Sequence, residues 1–189
     1  MADNCCIVAL GDSLTEGFGV PPEGSFPARL DGLLRRRGTD CRVINMGRSG
    51  DTCRGVLARL SQVLALAPDL VILEIGLNDV LMGAMVERIE LNISRIVERL
   101  TAARARVLLA GMVLPPMGEP DGESAFAGIY PRVAAANGVG LIPGFNAPAF
   151  TGPGRLQYDG LHPTSRGYEA ITDHVLPWVV TAVEEAMTG

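Results

Sequence analysis

The chain has 189 residues, 48% of them apolar, a net charge of −5 and no lysine, since all 16 of its basic residues are arginine. That length supports one sizeable core and reads as one domain over 1–189. The missing lysine excludes Schiff-base chemistry, a phosphate-loop lysine and a Ser-Lys dyad, and only His162 and His174 can supply an imidazole.

The first apolar, β-branched run predicts a strand over 6–10, broken at once by Gly11-Asp12-Ser13-Leu14, and helical spacing follows over 26–36. Arg35-Arg36-Arg37 falls at that helix's end, where cations suit the helix dipole, so the run reads as a solvated face and not as a nucleic-acid patch. Strands are then predicted over 42–46, 70–75, 106–112 and 139–142, and helices over 53–66, 85–103, 125–136 and 165–187. Strand alternating with helix means a parallel sheet covered on both faces, an α/β fold.

The cysteines, Cys5, Cys6, Cys41 and Cys53, form no CxxC spacing for a metal or a redox pair. Cys5, Cys6 and Cys41 read as buried free thiols; a bridge from Cys41 to Cys5 or Cys6 is the alternative should the first two strands be neighbours. No charged and apolar leader precedes the first strand, and no apolar run is long enough to be an integral membrane segment. The sequence as given therefore reads as a soluble protein, cytoplasmic, or periplasmic or secreted once a leader has been removed.

Loops after the strands of such a sheet converge on one edge. Those loops hold Ser13, the turn Gly47-Arg48-Ser49-Gly50-Asp51-Thr52, Gly76-Leu77-Asn78-Asp79, and Leu114-Pro115-Pro116-Met117. The connection 144–163 carries four glycines and three prolines, and within it Asp159 precedes His162 by three residues. An esterolytic serine needs a base, an orienting carboxylate and donors for the oxyanion. Ser13 is the candidate nucleophile, His162 the base and Asp159 its orienting group, with the N–H groups of Ser13 and Gly50 and the Asn78 amide as oxyanion donors.

Each residue alone has a plainer reading: Ser13 a helix N-cap, His162 a loop histidine, Asn78-Asp79 an Asx turn, Gly50 a turn glycine. His174 reads as structural, and Asp12 and Asp79 as carboxylates that brace loops. Leu77, Met82, Leu114 and Pro115, with Val80, Leu81 and Met117, make an apolar rim suited to an acyl chain or a flat ester; some of them could equally cap the core.

With these residues in place, the chain resembles the SGNH hydrolases, the GDSL esterase/lipase family, and is most similar to its bacterial thioesterase/protease/lysophospholipase and arylesterase branch. The family blocks occur in order as Gly11-Asp12-Ser13-Leu14, Ser49-Gly50-Asp51-Thr52, Gly76-Leu77-Asn78-Asp79 and Asp159-Gly160-Leu161-His162-Pro163. The resemblance implies a flavodoxin-like α/β/α sandwich on a five-stranded parallel sheet, and an acyl-enzyme on Ser13 formed with neither metal nor cofactor. Its expected substrates are small molecules: short- to medium-chain or aryl esters, acyl thioesters or lysophospholipids. The GxSxG elbow of the α/β-hydrolases is absent.

On the residues alone two other classes compete. One is a metal-dependent hydrolase built on Asp12, Asp79, Asp159 and His162; the other is a flavodoxin-like phosphate-binding module. The serine mechanism further requires activity to rise with pH across the range in which an ordinary imidazole loses its proton.

Overall fold

The computed structural model describes residues 5–115 and 125–188. Five strands, β1 (Cys5–Gly11), β2 (Cys41–Gly47), β3 (Leu70–Leu73), β4 (Arg106–Ala110) and β5 (Gly140–Ile142), form one sheet in the order β2-β1-β3-β4-β5 with every pair parallel. β1 and β3 are buried on both faces, which is why they read as unbroken apolar runs; β2 lies at an edge, and its Arg42 and Asn45 reach solvent.

The regular helices are α1 (Ser13–Glu16), α2 (Phe26–Arg36), α3 (Cys53–Leu64), α4 (Leu77–Leu81), α5 (Val86–Ala102), α6 (Ile129–Asn137), α7 (Ala147–Phe150) and α8 (Ser165–Thr188). α2, α7 and α8 pack together on one side of the sheet, and α3, α5 and α6 on the other. Between them lies a core that includes Ile7, Val8, Leu10, Ile72 and Leu73, all fully buried. Each such side chain contributes about 1.5–3 kcal/mol by leaving water. Among the described residues no helix is long and apolar enough to cross a membrane.

Several predicted boundaries move. The strand over 70–75 stops at Leu73 and that over 106–112 at Ala110, because the chain leaves the ladder to turn toward the next helix. The helix over 53–66 ends at Leu64, with Ala67 in the left-handed region ahead of Pro68. α4, α7 and a 3₁₀ turn at Pro22–Gly24 are not legible in the sequence, since elements this short complete too few turns to show a period.

The free-thiol reading of Cys5 and Cys41 is corrected: the two are joined in a disulfide. They are Cα partners in the β1–β2 register, 4.3 Å apart, a relation that depends on strand order and so is invisible in spacing alone. Cys6 and Cys53 are free and buried. Arg35 and Arg36 close α2, and Arg35 pairs with Asp31 at 2.7 Å one turn back.

The sheet order has a direct consequence for function. From β1 the chain goes outward to β2, then returns across to β3, so β1 and β3 flank the switch point where open sheets hold their ligands. Ser13 follows one of these strands and Asn78 the other.

Candidate active site

β1 ends at Gly11 because nothing larger fits: a Cβ there would collide with the Thr15 hydroxyl and with the backbone and carboxylate of Glu74. Asp12, 1% exposed, then caps α1, its Oδ1 accepting from Leu14 N at 3.0 Å. Since Asp12 is the cap, the N-cap reading of Ser13 fails, and the Ser13 hydroxyl is free for another partner. The Ser13 carbonyl is held from behind by Tyr168 Oη of α8 at 3.3 Å.

That partner comes from 149 residues away: His162 Nε2 lies 2.9 Å from Ser13 Oγ. His162 Nδ1 lies 2.7 Å from Asp159 Oδ2, while Asp159 Oδ1 accepts from the N–H groups of Leu161 at 2.9 Å and His162 at 3.0 Å. Partial burial pushes the Asp159 carboxyl up, but the two backbone donors and the His162 ring outweigh it, and its pKa falls to about 2. Asp159 is therefore ionised at any working pH and holds the proton of Nδ1, which leaves Nε2 to accept from Ser13.

Residues not picked out from sequence hold this loop. Gln157 N donates to the His162 carbonyl at 2.8 Å, and its Nε2 donates to the carbonyls of Phe18 and Pro163 at 2.8 and 2.9 Å. The Phe18 ring sits 4.5 Å from the His162 ring, tilted by 42°. One glutamine thus ties the histidine loop to the segment just after the serine.

The loop carrying Gly50 is braced from below. Arg59, 5% exposed, donates through Nε to Asp51 Oδ2 at 2.7 Å, through Nη1 to Met46 O at 2.9 Å and through Nη2 to Gly11 O at 3.1 Å. From above, the Glu16 carboxylate accepts from both the N–H and the hydroxyl of Ser49. Gly50 itself has φ +75 and open space around its α-carbon, so backbone conformation, not crowding, selects glycine. Among the described residues the N–H groups of Ser13 and Gly50 donate to no protein acceptor.

Asn78 lies in the first turn of α4, with Nδ2 donating to Asp12 Oδ2 at 3.0 Å and to the Asp51 carbonyl at 2.9 Å. Both amide hydrogens already have acceptors, so bonding to an oxyanion would share one of them. Asp79 accepts from Cys53 N at 2.9 Å at the start of α3, beside the Thr52 cap, the bracing role expected of it. Burial, reinforced by that carboxylate, holds the Cys53 thiol far above its usual range.

The apolar rim divides. Leu77, 2% exposed, is core, and Pro115 is buried, so neither offers a surface here; Leu114 is half-buried, Leu81 is 54% exposed and Met82 70%. Met117 lies outside the described residues. A groove of about 690 Å³ lined by Phe18, Val20, Val43 and Ser49, not read from the sequence, adjoins the site through Phe18. His174 Nε2 lies 2.7 Å from the Pro143 carbonyl, a structural place. Among the described residues no group of three or more His, Cys, Asp and Glu is arranged to hold a metal ion.

The chain is similar to known proteins. Residues 9–170 match the model of the GDSL-like lipase/acylhydrolase family. The chain is 35% identical over 172 residues to esterase TesA of Pseudomonas aeruginosa, covering 90% of this chain and 86% of that one. It is 36% identical over 170 residues to an arylesterase of Vibrio mimicus, covering 89% and 85%. The crystal structure of AlinE4, an SGNH-hydrolase family esterase, superposes with a TM-score of 0.79 at 37% identity, covering 96% of this chain and 98% of that one.

Proposed function

From the premise that this chain belongs to the GDSL-like lipase/acylhydrolase family and is a serine hydrolase acting on esters, we propose that Ser13 is its nucleophile, His162 its general base and Asp159 the orienting carboxylate. The observation that carries the assignment is the continuous line Asp159 Oδ2, His162 Nδ1, His162 Nε2, Ser13 Oγ, with spacings of 2.7 and 2.9 Å at its two hydrogen bonds.

Ser13 Oγ attacks the acyl carbonyl and gives its proton to Nε2. The tetrahedral oxyanion is met by the N–H groups of Ser13 and Gly50, with the Asn78 amide as third donor. Collapse breaks the ester bond, and the leaving alcohol takes the proton from Nε2. Water then repeats the sequence on the acyl-enzyme, releasing the acid and restoring Ser13.

Carboxylic esters with short to medium acyl or aryl groups fit the exposed Met82 and Leu81 together with the half-buried Leu114. The same Ser13 would be acylated by acyl thioesters and lysophospholipids, releasing a thiol or an alcohol. The test is twofold. Ser13→Ala is expected to abolish p-nitrophenyl ester hydrolysis while leaving the melting temperature unchanged, and mass spectrometry after an organophosphate is expected to find one adduct, on Ser13. Substantial activity in the variant, or an adduct elsewhere, overturns the assignment.

A further inference from the structure

Glu74 is a carboxyl group at the end of β3, in a run that is otherwise Leu, Val and Ile, and it is fully buried. Its Oε2 accepts from Thr15 Oγ1 at 2.8 Å and from Asp12 N at 3.2 Å. Its Oε1 is equally buried and has no donor, the one such side-chain atom among the described residues. An ionised oxygen without a donor in the core costs several kcal/mol, so this atom calls for an explanation.

The explanation lies in its neighbour. The Asp12 N–H bonds Glu74 Oε2 and so draws the two buried carboxyl groups together, and two carboxyl groups can share a hydrogen bond only if one of them is protonated. Asp12 accepts at both oxygens, from Leu14 N at Oδ1 and from Asn78 Nδ2 at Oδ2. Those bonds favour its ionised form. Of the two Glu74 oxygens only Oε1 lacks a donor, since Asp12 N and Thr15 Oγ1 both go to Oε2, so Oε1 is the place for a proton on Glu74.

We infer that Glu74 is a positioning residue of the hydrolase: as a neutral acid it donates from Oε1 to the Asp12 carboxylate, and through Asp12 it fixes both the turn that presents Ser13 and the carboxamide of Asn78. Glu74 touches no substrate. It holds Asp12, which caps α1 at the nucleophile and accepts from the third oxyanion donor. The inference rests on the roles proposed above for Ser13 and Asn78.

The surroundings fit. Burial drives the Glu74 carboxyl well above the usual range, and the Asp12 charge adds to this. Burial also raises Asp12, to about 6, against the pull of Leu14 N, Glu74 and the His162 ring. Around the pair, Asp51 and Asp79 are acidic, Cys53 stays a thiol, and burial keeps the phenols of Tyr130 and Tyr168 un-ionised. Arg59 reaches the adjacent Gly11 carbonyl, but its Nε is bound to Asp51. Loss of the Glu74 proton as pH rises would thus set two buried negative charges against each other behind the nucleophile.

The test uses the intact protein with Glu74→Gln and Glu74→Leu, measuring kcat and KM against pH, with melting curves to follow folding. Glutamine can donate from Nε2 to Asp12 and accept at Oε1. It is expected to keep kcat within about threefold and to lose the alkaline fall in kcat expected of the wild type. Leucine cannot donate and is expected to lose about 10- to 100-fold in kcat with little change in KM. Infrared difference spectra of wild type against Glu74→Gln at neutral pH should contain the carbonyl stretch of an un-ionised carboxylic acid. Absence of that band, superimposable alkaline profiles, or a fully active Glu74→Leu overturns the inference. If Glu74→Leu does not fold, the band and the glutamine profile decide. Failure of the serine assignment looks different, because Ser13→Ala would then keep its activity.

Discussion

The two halves of the site are built on opposite terms. The nucleophile half, Asp12, Asp51, Arg59 and Glu74, is buried at the switch point and cross-linked by side chains from β1, β3 and α3. The base half, Asp159 and His162, sits on an exposed turn, with the Asp159 side chain 42% exposed and that of His162 16%. Burial raises the Asp12 carboxyl in the first half, whereas hydrogen bonds lower the Asp159 carboxyl in the second. Groups that must stand still during the reaction are placed where the core holds them, and the group that carries a proton is placed where water can reach it.

If that division is right, the exposed half can lose its chemistry without losing stability. Asp159→Asn keeps the acceptor for Leu161 N and His162 N but turns a donor toward Nδ1 and so favours the wrong tautomer. We expect kcat to fall by about 10³- to 10⁴-fold, with calorimetry showing a melting temperature close to that of the wild type. A large drop in melting temperature would erase the contrast. The buried half should behave in the opposite way. Arg59→Met strands the Asp51 carboxylate and two carbonyls, at a cost of about 3–5 kcal/mol in a denaturant titration.

Acid titration sharpens the comparison with a smaller effect, because the two shifts have opposite signs. Asp159, lowered to about 2, contributes stability above its ordinary value of 3.8, and that contribution is lost as pH falls toward 2. Asp12, raised to about 6, binds its proton more tightly folded than unfolded, so its contribution falls as pH rises from 3.8 toward 6. Asp12→Asn should flatten that decline by roughly 2 kcal/mol, measured as melting temperature against pH. An unchanged slope would place Asp12 outside the buried half.

Much of this was legible in the residues. Alternating strand and helix signals gave the parallel sheet, and convergence of loops at one sheet edge gave Ser13, Gly50, Asn78, Asp159 and His162 as neighbours. The supports were not legible. Gln157, Tyr168 and Arg59 act through contacts set by tertiary packing, with no local pattern to mark them. Glu74 did carry a signal, an acid inside an apolar run headed for a doubly covered sheet, which periodicity alone passes over. The Cys5–Cys41 bond required strand order, and Leu77 required knowing which side of a short helix faces inward.

The sequence separation of 149 from Ser13 to His162 makes turnover a reporter of completed folding. The serine turn belongs to the first strand unit, whereas the imidazole reaches it only after the last loop has docked beside α8. A refolding chain is therefore inert until its two ends have met. Recovery of hydrolysis after dilution from denaturant should trail the return of helical signal, and should do so most when the docking of that final segment is slowed.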